Sequence, residues 1–265
     1  MPIKKTLICA ALMIIMGMLT IAAGCTTGFG PFITGSGKLA TWDMDYSDFN
    51  RIDAGYAFDV DINKADSYLV SITVDDNLYE YLDIRKSGDT LYIGLKPNHN
   101  YTNVTRKATI NLPDLHSLEL SGASQGDVSG FSASHSMDFD LSGASKMEMS
   151  HMKASDTSLE LSGASKASGS IEIADGRFNL SGASSIELEG SAKDISLGAS
   201  GASKADLADF PAVDAEVNLS GASGAAINAR GRLDVDLSGA SRLNYSGNPI
   251  LGSINVSGGS TISQK

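Results

Sequence analysis

The amino-acid sequence predicts an all-β chain: a right-handed parallel β-helix of about eight coils of 18–21 residues, preceded by an N-terminal all-β head. Two observations carry this. The pentapeptide Leu-Ser-Gly-Ala-Ser starts at Leu120, Leu141, Leu161, Leu180, Leu219 and Leu237, with near copies at Ala199 and Val256. Apolar residues also alternate with polar ones on both sides of each copy, which is the period of a strand and not of a helix.

The repeat glycines are Gly122, Gly143, Gly163, Gly182, Gly201, Gly221, Gly239 and Gly258, separated by 21, 20, 19, 19, 20, 18 and 19 residues. Such a unit is too short for a strand-helix-strand crossover, which needs about 30 residues. The chain must therefore wind without helices. Pairs such as Phe139 and Leu141 before the pentapeptide, and Met147 and Met149 after it, make each unit strand, corner, strand. The glycine supplies the positive φ of a tight corner. The alanine is expected to point into a narrow interior. The last serine, from Ser124 through Ser184 to Ser260, is expected to line one exposed edge as a hydroxyl ladder.

Residues 42–116 have another texture, with longer alternating stretches at Phe58–Ile62, Tyr68–Val74, Thr90–Leu95 and Ala108–Leu112. They predict strands of a head that covers the open first coil and leads into the β-helix of residues 117–265. Ser87-Gly88-Asp89 predicts a hairpin turn, and Tyr79–Asp83 a short helical turn.

At the N-terminus, Lys4 and Lys5 precede an apolar run ending in Ala22-Ala23-Gly24-Cys25, the layout of a secretory signal over residues 1–24. The segment resembles a bacterial lipobox, which makes Cys25 the expected lipidation site. Residues 25–41, rich in glycine and without a period, are expected to be a flexible lipid-anchored linker. Cys9 would leave with the signal, so the mature chain holds no pair for a disulfide.

The balance of 20 basic and 31 acidic residues, a net charge of −11, excludes a nucleic-acid footprint and keeps the body away from an anionic bilayer. His99, His116, His135 and His151 follow no metal-ligand spacing, and Ser220–Gly224 lacks the strand-to-helix elbow of a nucleophile. The strand acids, among them Asp138, Glu160, Asp194 and Asp234, read as a solvated face. No catalytic residue, metal or cofactor is expected.

Phe49-x-x-Ile52, Gly55–Val60, Asp75–Leu78 and Asp89–Ile93, together with the pentapeptide series, resemble the head GIN domain family, described as putative auto-transporter adhesin. The resemblance implies an exported, often lipid-anchored β-helical protein and brings no catalytic residues. The expectation is a cell-envelope binding module, anchored to the membrane by lipid, with a surface glycan or envelope protein as partner and weak self-association. A polysaccharide-acting enzyme and a structural or sensing component are the alternatives. An exposed aromatic patch would favour binding, and a convergent Asp/Arg cleft the enzyme.

Overall fold

In the computed structural model, described over residues 30–265, each repeat contributes two strands and two corners. Met137–Leu141 runs into the corner at Ser142–Ser145, and Lys146–Lys153 leaves it. The strand before each corner pairs in parallel with its counterpart one coil on. Phe139 lies opposite Leu159, Leu159 opposite Phe178, Phe178 opposite Leu197, and Leu197 opposite Val217. The strands after the corners stack in the same way. Two sheets of 11 and 12 strands thus face each other in a parallel β-solenoid of about seven turns. The signal segment and Cys25 lie outside the described residues.

Period two decides what fills the space between the sheets. Met137–Leu141 alternates buried and exposed, so Met137, Phe139 and Leu141 enter the core while Asp138 and Asp140 face out. Phe178 and Phe210, from opposite walls, meet at a centroid distance of 6.1 Å. A buried aromatic of this kind is worth about 3–5 kcal/mol against alanine.

The corners invert one expectation. Ala144, Ala164 and Ala183 are exposed, whereas Ser145, Ser165 and Ser184 are buried to within 1%. The alanine's N–H explains its direction: in Ala183 it donates to the Gly163 carbonyl of the previous coil at 2.7 Å, and the methyl is left pointing outward. The serine hydroxyl turns in and donates to the carbonyl three residues back, from Ser184 to Ser181 at 2.8 Å. Ser145, Ser165, Ser203, Ser223 and Ser241 repeat this bond. The ladder is therefore internal, and it satisfies carbonyls that the turn would otherwise strand.

The first coil lies within the head. Arg51–Ala54 pairs in parallel with Ser117–Leu120, and Asp59–Lys64 with Gln125–Ser129, so coil geometry begins at Arg51. Thr90–Leu95 and Arg106–Leu112 stack on this first coil in parallel, and beyond them the pairing turns antiparallel. Leu69–Asp75 sits between Leu39–Met44 and Arg106–Leu112, and the Leu82–Ser87/Thr90–Leu95 hairpin ends the other sheet. Its turn residue Gly88 has φ +59, and Asp76–Tyr81 forms the helical turn.

The linker expectation fails for residues 30–41. Phe32–Thr34 pairs with Asn100–Thr102, and Leu39–Met44 is a sheet strand. The buried carboxylate of Asp75 holds this segment down, accepting the N–H of Gly37 at 2.7 Å and of Thr105 at 2.8 Å. No helix among the described residues is long and apolar enough to cross a membrane.

Candidate functional site

Register identifies an unusual corner in the head. Ala54 lies opposite Leu120 and Asp59 opposite Gln125, so Gly55-Tyr56-Ala57-Phe58 occupies the place that Ser121-Gly122-Ala123-Ser124 takes one coil later. Phe58 replaces the buried serine and fills the wider head core. Tyr56 replaces the glycine and keeps its positive φ, at +57, and Ala57 takes φ +57 as well. For a residue with a Cβ that conformation costs roughly 1–2 kcal/mol. Backbone strain of this kind concentrates at functional positions.

What the strained corner presents is an aromatic side chain. Tyr56 is 44% exposed, and its ring covers Gly94, where an added Cβ would come within 3.2 Å of Cδ2. Tyr101 lies near enough for the two hydroxyls to interact, and Tyr81 and His99 gather around Tyr101. Tyr81 meets His99 at 5.2 Å and Tyr101 at 6.2 Å between centroids, while His99 and Tyr101 are 6.0 Å apart. Burial pushes the Tyr101 hydroxyl above its ordinary range, and the nearby Tyr56 and Tyr81 push it the same way. That hydroxyl donates to the Lys96 carbonyl at 2.8 Å, which fixes the ring. Trp42 and Tyr79 form a second pair at 4.8 Å, with Tyr79 53% exposed.

The 11-stranded sheet offers a different surface. Asp156, Asp175, Asp194 and Asp214 stand in register, one per coil, at the starts of their strands. With Arg177 and Arg232 they line a shallow groove of about 620 Å³. Arg232 holds Asp234 by Nη2 to Oδ1 at 2.8 Å, and the Ser253 N–H adds 2.7 Å to the same oxygen. Together they keep the Asp234 carboxyl below the ordinary range. Toward the head, Asp53, Glu119 and Asp140 form another register column on the same face. Burial raises Glu119, and its neighbours Asp53 and Asp140 raise it further.

Of the residues singled out from sequence, the eight glycines do form one stacked column, all at positive φ. Of the four histidines, which follow no metal-ligand spacing along the chain, the fold brings two together: His116 and His135 stack at 3.8 Å with Asp114 against both. The aromatic patch carries no repeat signal. Its trace in the sequence is the departure of Gly55-Tyr-Ala-Phe from Ser-Gly-Ala-Ser, which becomes visible once the two are aligned as corners.

Comparison with known proteins bears on fold and family. No curated protein matches the chain. A solved protein from Parabacteroides merdae, described as a putative adhesin, superposes with a TM-score of 0.81 at 18% identity, covering 88% of this chain and 99% of that one. One from Parabacteroides distasonis, described as a putative lipid binding protein, gives 0.75 at 22%, with the same coverage of 88% and 99%. A putative adhesin from Bacteroides fragilis gives 0.66 at 21%, covering 88% and 100%. At these identities the likeness is one of fold. The family match is independent of it and extends over residues 48–249, from the strained head corner to the last coils. This chain belongs to the family described as "Putative auto-transporter adhesin, head GIN domain".

Proposed function

We propose that this protein is an adhesin-like, non-enzymatic binding protein of the cell envelope, anchored by lipid at Cys25, and that its ligand docks on the aromatic patch of the head. The observation that carries the reading is Tyr56, an exposed ring held at φ +57 near Tyr101, around which Tyr81 and His99 gather. Flat exposed rings stack on the apolar faces of sugars, so a surface glycan is the ligand class the patch suits. Family membership supports the adhesin reading.

Glycan-array binding of the full chain in detergent tests this, alongside Tyr56→Ala and Tyr101→Ala. Binding in the parent that falls at least tenfold in both variants, with melting temperatures close to the parent's, is the expected result. Equal binding by parent and variants removes the patch from the proposal, and release of reducing sugar from a bound glycan removes the non-enzymatic reading.

End-to-end association belongs to the same proposal. The last strands of the two sheets, Ile250–Val256 and Thr261–Gln264, leave Ile250 74% and Leu251 49% exposed, and sedimentation across a concentration series checks it.

A further inference from the structure

We propose that Asp114, His116 and His135 form a binding site for a divalent first-row transition metal such as Zn2+, joining the head to the first repeat coil. Asp114 and His116 lie in the short link between the strands Arg106–Leu112 and Ser117–Leu120. His135 precedes Met137–Leu141, one coil later. Coil stacking brings the three together from positions that have no spacing in common with known ligand motifs.

The geometry fits the ion. His135 Nε2 lies 2.9 Å from Asp114 Oδ1 and 3.0 Å from Oδ2, and His116 Nε2 is 3.1 Å from Oδ2. One ligand atom from each residue falls within 4.8 Å of the others. Donors around a tetrahedral zinc at bond lengths of about 2.0–2.2 Å sit roughly 3.3 Å apart. Small side-chain movements therefore suffice to admit the metal. The side chains are about one-third to one-half exposed, so an ion can enter and keep a water ligand in the open position.

Tautomer chemistry allows this. His135 Nδ1 lies 2.9 Å from the Ser136 carbonyl, which can only accept, so Nδ1 carries the hydrogen. In the neutral ring Nε2 is then a bare lone pair directed at a carboxylate. A proton on Nε2, which makes an imidazolium–carboxylate pair, satisfies both atoms, and a metal ion that displaces that proton does the same. An N–H to a backbone carbonyl on one side of the imidazole and a metal on the other is the usual second-layer arrangement of ligating histidines. Asp114 Oδ1 likewise accepts the Leu115 N–H at 3.1 Å, which orients the carboxylate. An imidazole lone pair lies in its ring plane, so to ligate one ion together the two rings must turn out of the parallel stack they form at 3.8 Å and 14°.

The experiment is zinc titration calorimetry on the full chain in detergent, without a polyhistidine tag, with cobalt absorption as the spectroscopic readout. The comparison set is the parent, Asp114→Asn, the double variant His116→Ala/His135→Ala, and His151→Ala as a histidine elsewhere on the solenoid. Expected are one zinc per chain, visible cobalt bands, at least tenfold weaker zinc binding in Asp114→Asn, none in the double variant, and no change in His151→Ala. Zinc should also raise the melting temperature of the parent and not of the double variant. Metal-free melting curves establish that each variant is folded. If the double variant fails to fold, Asp114→Asn, which keeps the shape of the side chain, decides alone. Absence of stoichiometric zinc binding to the parent, or binding unchanged by the Asp114 or paired histidine substitutions, overturns the site.

Discussion

The carbonyl oxygen of Gly163 lies 2.5 Å from the point a Cβ on Gly182 would occupy, and it accepts the N–H of Ala183 at 2.7 Å. The glycine is required twice, by its φ of +74 and by the backbone of the coil beneath. Gly122, with φ +73, begins the column, and its nearest neighbour would be the Tyr56 nitrogen at 3.8 Å. Gly182→Ala is expected to cost about 2–5 kcal/mol, adding overpacking to left-handed strain. Gly122→Ala should cost only the strain, about 1–2 kcal/mol. Urea unfolding of both variants measures the difference.

The buried serines separate in the same way. Ser184→Ala removes a hydrogen bond to the Ser181 carbonyl and should cost about 1 kcal/mol. Ser124 Oγ is buried without a partner among the described residues, so Ser124→Ala should be neutral or slightly stabilising. Thermal melts of the two single variants check the contrast. Equal losses would show that packing of the corner, and not the hydroxyl bond, sets the cost.

At Tyr56 stability and binding should part company. Tyr56→Gly relieves roughly 1–2 kcal/mol of left-handed strain while losing the ring's contact over Gly94. The melting temperature should therefore remain near the parent's, within the equivalent of about 1 kcal/mol, while glycan binding falls. Parallel melting and binding curves read both.

Stability should depend on pH through Glu119. Its folded pKa is raised above the ordinary 4.5, by burial first and by Asp53 and Asp140 second. The native chain thus holds this proton at a higher pH than the unfolded chain does. Stability from this group grows as pH falls through the window between the two values, and the penalty is complete above it. Glu119→Gln should raise stability at pH 7 by about 0.5 kcal/mol, the scale of one exposed cross-strand contact. The gain should fade below pH 4.5, where both states are protonated. Melting temperatures across pH 3.5–8 (~ steps of one half) on the two chains provide the test.

The solenoid was legible because its determinants are local. Alternation at Phe139 and Leu141 fixes the strand faces, and Gly143 fixes the bend. What escaped was set by distance across coils. Gly55-Tyr-Ala-Phe is a corner by virtue of lying over Ser121–Ser124, and nothing within the tetrapeptide announces it. His116 and His135 are ring neighbours because a coil returns the chain to the same edge. The inward serine was misread because its partner is a carbonyl freed by the turn itself. Residues 30–38 contain no period, yet Asp75 and Thr102, distant in the chain, order them.

The three-residue ladder between Phe32–Thr34 and Asn100–Thr102 has a mechanical consequence. It places the strand that leads back toward the N-terminus directly beside Tyr101. Tension between a ligand gripped at Tyr101 and the chain preceding Phe32 would run along this ladder and load its hydrogen bonds in shear, so that they resist together. The bonds between coils point along the solenoid axis, where a pull would peel them one turn at a time. Gripping at the head spares the shaft that load.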